Sequence, residues 1–381
     1  MPSFTHRARA LTATLLAACL ALAAMPAAAQ QVGVAALPAQ PLLETTRDGQ
    51  DLNFDLIFSN PGDKALTLQR IEVTWFDPKG AFLGQRRLDQ NGGETTMGIV
   101  TVPNRTLPAG GRLVVFNPFQ HFRAPLWLGD LRYSAVFTTG EEGAPEQRVE
   151  LRVAPTAYVP RTTLGLPVSG TSFIHDGHDL TSHHRRLDIT GDMTTHFGIA
   201  ANFTRYAHDF VVTDAQGRLY RTDGATPDDW YGFGTPIVAT GDGVVAEMHD
   251  GMADNRKGAP PPFDQAAIMK NLKLFLGNYV IIDHGHGEYS LFAHLRQGSV
   301  RVKAGQRVAR GATIGAMGMS GDAFLVHLHY QLQSGPGFDR EGLPAIFEGV
   351  QFATGEGWSA ARTSAVDSGD IVRSAPAGGT R

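Results

Sequence analysis

The 381-residue chain is 42% hydrophobic and 18% charged, an ordinary globular balance, and its length allows two or three domains with buried cores. With 33 basic and 37 acidic residues the formal net charge is −4, and the absence of a basic stripe excludes a nucleic-acid binder. The single cysteine, Cys19, excludes a disulfide framework and a thiolate metal site, so any zinc must be held by His, Asp or Glu.

Residues 1–29 read as a signal peptide. Arg7 and Arg9 precede an apolar run from Ala10 to Ala24, and Ala27-Ala28-Ala29 supplies the small residues before Gln30. The run is too short for a membrane span, and no other segment approaches the roughly 20 apolar residues one needs, so no transmembrane segment is left once the signal is removed. This layout predicts export to the periplasm or the exterior. Leu16-Ala17-Ala18-Cys19 also resembles a lipoprotein processing box, which gives a second reading with lipid on Cys19; the apolar stretch Leu20 to Ala24 speaks against it.

Residues 30–155 carry short runs of strand character. Leu52 to Phe58 alternates and then turns at Asn60-Pro61-Gly62-Asp63, and LTLQRIEVTWF from Leu66 to Phe76 turns at Asp77-Pro78-Lys79-Gly80. Similar runs follow at 112–116 and 133–137. That spacing predicts an immunoglobulin-like β-sandwich, in architecture only, because the Cys–Trp–Cys core is absent. Such a domain could also present a surface to a protein partner. The Pro-containing stretch 154–160 reads as a linker into a second all-β domain, residues 156–352. Residues 353–381, rich in Gly, Ser, Ala and Thr, predict a flexible tail.

The second domain begins with a His-dense stretch: His175, His178, His183, His184 and His196. Strand patterns follow at 206–212, 235–239 and 243–248, interrupted by long loops at 213–234 and 250–274, of a length that lines or covers a binding site. The most informative segment is GNYVIIDHGHGEYSLFAHL from Gly277, then VKAGQRVARGATIGAMGMSGD, then FLVHLHYQL ending at Leu332. On a strand, His327 and His329 point the same way while Val326, Leu328, Tyr330 and Leu332 fill the other face. The pair alone is weak evidence, since 14 histidines yield about half of one His-x-His by chance, and His284-Gly285-His286 reads as a surface hairpin copy.

The whole run resembles peptidase family M23, the LytM/lysostaphin-type zinc endopeptidases. Gly234-Thr235-Pro236-Ile237-Val238-Ala239-Thr240-Gly241-Asp242-Gly243-Val244-Val245 is similar to the family's GTPV-A-DG-V stretch, and Val302 to Gly315 to its VK-GQ-V--G--IG stretch. The resemblance implies an antiparallel β domain, a Zn2+ cofactor and peptidoglycan peptides as substrate. It implies Asp209 and His329 as zinc ligands, and His294 and His327 as the two catalytic histidines, one taking a proton from water and the other hydrogen-bonding the oxyanion. Zinc of this kind has three protein ligands and an open fourth position.

The family's first ligand is a histidine four residues before the aspartate, and here Arg205 stands in that place. A guanidinium has no lone pair to offer a cation. His208, the neighbour of Asp209, should point to the opposite face of its strand. The replacement is expected from the His-dense stretch, His184 or His183 first and then His196, against the reading that these are solvated loop histidines. Arg205 itself could pair with Asp209 or face substrate carboxylates. The leading expectation is an exported zinc metalloendopeptidase cutting peptide bonds of cell-wall peptidoglycan. The alternatives are a catalytically inactive module of the same fold that binds wall peptide or activates another wall hydrolase, and an adhesin working through its N-terminal domain.

Overall fold

Alternating apolar residues build the N-terminal half of the molecule. The computed structural model describes residues 31–47, 49–89, 100–102, 104–116, 121–123, 126–177, 179 and 182–375. The expected signal peptide with Cys19, and His178, lie outside these residues. Strands β1 (Gly33–Leu37), β2 (Asp55–Ser59) and β5 (Arg112–Phe116) form one antiparallel sheet, extended by Val100–Val102. Strands β3 (Leu66–Phe76), β4 (Phe82–Asp89), β6 (Asp130–Thr138) and β7 (Gln147–Val153) form another in the order β7-β6-β3-β4. One core joins them: Leu56 and Phe58 from the first sheet pack with Leu68, Ile71, Val73, Tyr133 and Phe137 from the second. The Phe58 and Phe137 rings meet edge to face at 5.1 Å.

The second half is built on a larger antiparallel sheet. Its strands are β8 (Thr171–Asp176), β9 (His208–Val211), β10 (Gly243–His249), β11 (Asn278–Asp283), β12 (Tyr289–Leu295), β13 (Leu328–Gln333), β14 (Phe347–Thr354), β15 (Gly357–Ser364) and β16 (Ile371–Ser374). The order is β10-β11-β12-β13-β9-β8-β16-β14-β15, with Arg307–Val308 beyond β10. Phe210, Phe292, Leu328, Tyr330, Leu332 and Phe347 point to one face and share a core. By alternation, the residues between them face the other side.

Two expectations change. Of the expected tail 353–381, the described part, residues 353–375, is not loose: β14, β15 and β16 run through residue 374, with Val366 and Val372 fully buried. Its small residues mislead because they line the exposed side of a hairpin, which Arg373 secures by stacking on Trp358 at 3.9 Å. The 154–160 stretch is also more than a linker, since Thr156–Ala157 pairs in parallel with Leu42 and Leu43 of the N-terminal half.

Candidate metal centre and catalytic site

The site is a row of cross-strand neighbours. Ala293 of β12 pairs with His329 of β13, His329 with Asp209 of β9, and Asp209 with Asp176 of β8. A register shift between Ile174 and Asp176 brings Asp176 opposite Asp209. Below the row lie the apolar residues of the core, so the polar side chains stand on a rigid base.

Asp209 is the centre of the cluster. Its Oδ1 lies 3.2 Å from His329 Nδ1, 3.6 Å from His327 Nε2 and 3.7 Å from His184 Nε2. Burial alone would push the carboxyl up, but His184, His327 and His329 more than offset it and hold Asp209 well below the usual carboxylate range. It is therefore an anion ringed by imidazoles. The His329 ring is fixed from its far side, where Nε2 lies 2.8 Å from Gln331 Oε1. Gln331 in turn donates to Gln333, and Gln333 to the Gly335 carbonyl. This ladder fixes the ring so that Nδ1 faces Asp209 within hydrogen-bond distance.

His294 and His327 share a design. His294 Nδ1 donates to the Ser320 carbonyl at 2.8 Å, and His327 Nδ1 to the Leu325 carbonyl at 3.0 Å. Each neutral ring therefore has its lone pair on Nε2, and the rings lie 4.7 Å apart. Burial, aided by neighbouring imidazoles, holds His294 well below the ordinary histidine value, and burial likewise lowers His327. His294 has a φ of 62°, the left-handed region that costs a non-glycine residue about 1–3 kcal/mol. That twist at the end of β12 carries its ring across toward His327.

The long loops brace this arrangement. Asn255 donates to the Gly321 and Ala323 carbonyls at 2.8 and 2.9 Å, and Asp254 accepts from the Met319 amide. Gly277 and Gly321 allow the backbones to touch: a Cβ on Gly277 would lie 2.4 Å from Ser320 Oγ. The 250–274 loop thus holds the Ser320 carbonyl that orients His294. In the 213–234 loop, Trp230 is buried and donates to the Gly224 carbonyl at 2.9 Å.

The third histidine is His184, buried in the 3₁₀ turn His183–Arg186. Its carbonyl accepts from Thr204 Oγ1 at 2.9 Å and Asn202 Nδ2 at 3.2 Å. The other candidates make no direct contact with Asp209. His183 is exposed with its Nδ1 2.6 Å from Asp176, and His196 is exposed with its Nε2 2.9 Å from the Met269 carbonyl. His208 turns to the opposite face and packs among Phe210, Tyr330 and Phe347. His284 bonds Ser290 and the Asp242 carbonyl in its hairpin, away from the row.

Arg205 does neither thing considered for it. Its side chain is fully buried and pairs with Asp55 at 2.8 Å, with Glu341, and with the Leu37 carbonyl at 3.1 Å. Asp55 and Leu37 belong to the N-terminal half, so the guanidinium ties the two halves together instead of turning toward Asp209. Missing from the sequence reading is Asp176, which has no spacing rule to mark it. Among the described residues, Asp176, His183, His184 and Asp209 place potential ligand atoms within 4.8 Å of one another.

The donor set suits zinc. Tetrahedral bonds of about 2.0–2.1 Å put ligand atoms roughly 3.3–3.4 Å apart, and the His329–Asp209 and His184–Asp209 separations of 3.2 and 3.7 Å bracket that.

Residues 230–339 match the family model of peptidase family M23. Over 111 residues the chain is 34% identical to the peptidoglycan DD-endopeptidase ShyA of Vibrio cholerae, covering 29% of this chain and 19% of that protein. Over 98 residues it is 35% identical to the peptidoglycan DD-endopeptidase ShyC of the same organism, covering 26% and 17%. The chain thus spans less than a fifth of the length of these relatives. A zinc-containing peptidase structure from Vibrio cholerae aligns over 74% of this chain and 77% of its own at 14% identity and a TM-score of 0.26, too loose to carry an argument.

Proposed function

We infer that this chain, whose residues 230–339 belong to peptidase family M23, is a zinc endopeptidase that hydrolyses peptide bonds in cell-wall peptidoglycan. The observation that carries the reading is the convergence of His184, Asp209 and His329 beside the Nε2 atoms of His294 and His327. His184 Nε2, an Asp209 oxygen and His329 Nδ1 would hold the ion. A zinc ion there supplies Lewis acidity, lowering the pKa of water toward 7 and polarising a carbonyl.

The chain's own groups handle the protons. His294 and His327 each keep a proton on Nδ1, bonded to a backbone carbonyl, and offer a lone pair at Nε2. Such a lone pair can accept the proton that water loses and later deliver it to the leaving amine. Neither neutral ring can donate from Nε2, so only a ring already protonated there can hydrogen-bond an oxyanion. Burial, which disfavours that cation, suits both rings to the base role in the resting enzyme.

The substrate class rests on the relatives' names, and a wall substrate is in keeping with the export expected from segment 1–29. The test is release of new amino groups from purified peptidoglycan by zinc-loaded protein, lost in His327→Ala. Wall binding without release would make the chain an inactive wall-binding module.

A further inference from the structure

We propose that Asp176 is the positioning residue for the substituted ligand His184, so that a carboxylate from β8 does the aligning that a shared strand does elsewhere. The idea rests on the zinc-site reading above. Asp209 and His329 need little help, because adjacent strands fix them as cross-strand partners. His184 stands on a short turn instead, and its side chain must be aimed from outside.

Asp176 is placed to do that. It is the cross-strand partner of Asp209, buried, and one of its oxygens gathers the turn. Oδ2 accepts from Ser182 Oγ and from the His183 backbone amide, each at 3.1 Å. The same oxygen lies 2.6 Å from His183 Nδ1 and 2.9 Å from His184 Nδ1, the latter within reach but outside hydrogen-bond geometry. A carboxylate this near favours the tautomer with its proton on His184 Nδ1, which leaves the lone pair on Nε2, the atom that faces Asp209 at 3.7 Å. Asp176 thus favours that tautomer and, through Ser182 and the His183 amide, holds the turn that carries the ring. A carboxylate behind a ligating histidine is worth about 10–100-fold in metal affinity. His183 shares the oxygen but points its ring into solvent, so it is not required for the effect.

The test is zinc affinity of the full chain by competition with a chelator, together with the melting temperature of metal-free protein. Asp176→Asn is expected to keep one site per chain but weaken it about 10–100-fold, while His183→Ala stays within about threefold of the parent. In cobalt-substituted protein, Asp176→Asn should shift the visible absorption bands, which a purely structural role would leave in place. Unchanged affinity and spectrum in Asp176→Asn overturn the proposal. So does an equal loss in His183→Ala, which would make His183 the ligand, or a parent stoichiometry of two zinc ions, which would make Asp176 itself a ligand. Should Asp176→Asn not fold, Asp176→Glu decides the matter: its carboxylate is displaced by one methylene, and parent-like affinity would overturn the idea. A parent chain that takes up no zinc sinks the zinc-site reading itself, whereas a parent that binds one ion tightly leaves Asp176 to be judged on its variants.

Discussion

Two buried polar clusters lie four residues apart in sequence and follow opposite rules. Around Arg205, every strong donor of the guanidinium meets an oxygen: Asp55, Glu341 and the Leu37 carbonyl. Around Asp209, three histidines crowd one carboxylate, and the Nε2 atoms of His294 and His327 keep their lone pairs toward the site. The first cluster is closed and serves cohesion between the two halves. The second is left open, with a strained backbone at His294, as sites built for chemistry are. Position within a motif therefore does not decide a residue's role; the balance of donors and acceptors around it does.

The sharpest way to break this contrast is to disable the open cluster. His329→Ala or Asp209→Asn should abolish zinc uptake and reduce peptidoglycan hydrolysis below detection, with the protein still folded by circular dichroism. Next in size, His327→Ala should keep its metal, measured by elemental analysis, while hydrolysis falls about 10²–10⁴-fold. In the closed cluster, Arg205→Ala strands the buried Asp55 carboxylate and the partly exposed Glu341, and should cost about 3–5 kcal/mol in denaturant unfolding. The protein that remains folded should still bind one zinc. If Arg205→Ala instead lost zinc and kept its stability, the division between the two clusters would collapse.

Acid should weaken the open cluster in two stages. His184, His294 and His327 are held below the ordinary histidine value, so below about pH 6.5 the unfolded chain takes up protons that the native chain refuses. These three groups lower the stability of the metal-free protein as pH falls through that window, against the opposite contribution of His183, raised by its bond to Asp176. The depressed Asp209 contributes stability above about pH 3.9 that is lost on further acidification. A melting temperature that stays flat from pH 7 to pH 5 would contradict this. The smallest effect is expected from His196→Ala, an exposed site away from the row, with stability within about 0.5 kcal/mol and zinc binding unchanged.

Much of this was legible in the sequence. Alternation placed Leu328, Tyr330 and Leu332 on the core side of β13 and His329 on the other, and the same rule turned His208 away from Asp209. Arg205 was visible in the place of the family's first ligand, and of the His-dense stretch it is His184 that is buried with its Nε2 3.7 Å from Asp209. What the sequence could not show depends on contacts between distant segments. Arg205 meets Asp55 across 150 positions. Asp176 becomes important only through its register with Asp209, and the Ser320 carbonyl only through the fold of the 250–274 loop. The C-terminal strands were hidden by composition, because small and polar residues can still pair in strands where an apolar residue among them, here Val372 of β16, is buried.

The strand that carries Asp176 has a neighbour on each side: β9, a few dozen positions later, and β16, whose Arg373 pairs with Thr171. Those last partners are roughly 200 residues apart, a separation that makes pairing slow to find. While a polypeptide is still being made or threaded, β8 is an open edge until residues 371–374 arrive. A chain cut short of Ile371 would expose that edge to other strands and invite aggregation. Assembly of the row is thus timed by Ile371–Ser374, and the buried histidines and carboxylates gain their full support only once a strand roughly 200 residues beyond β8 is in place.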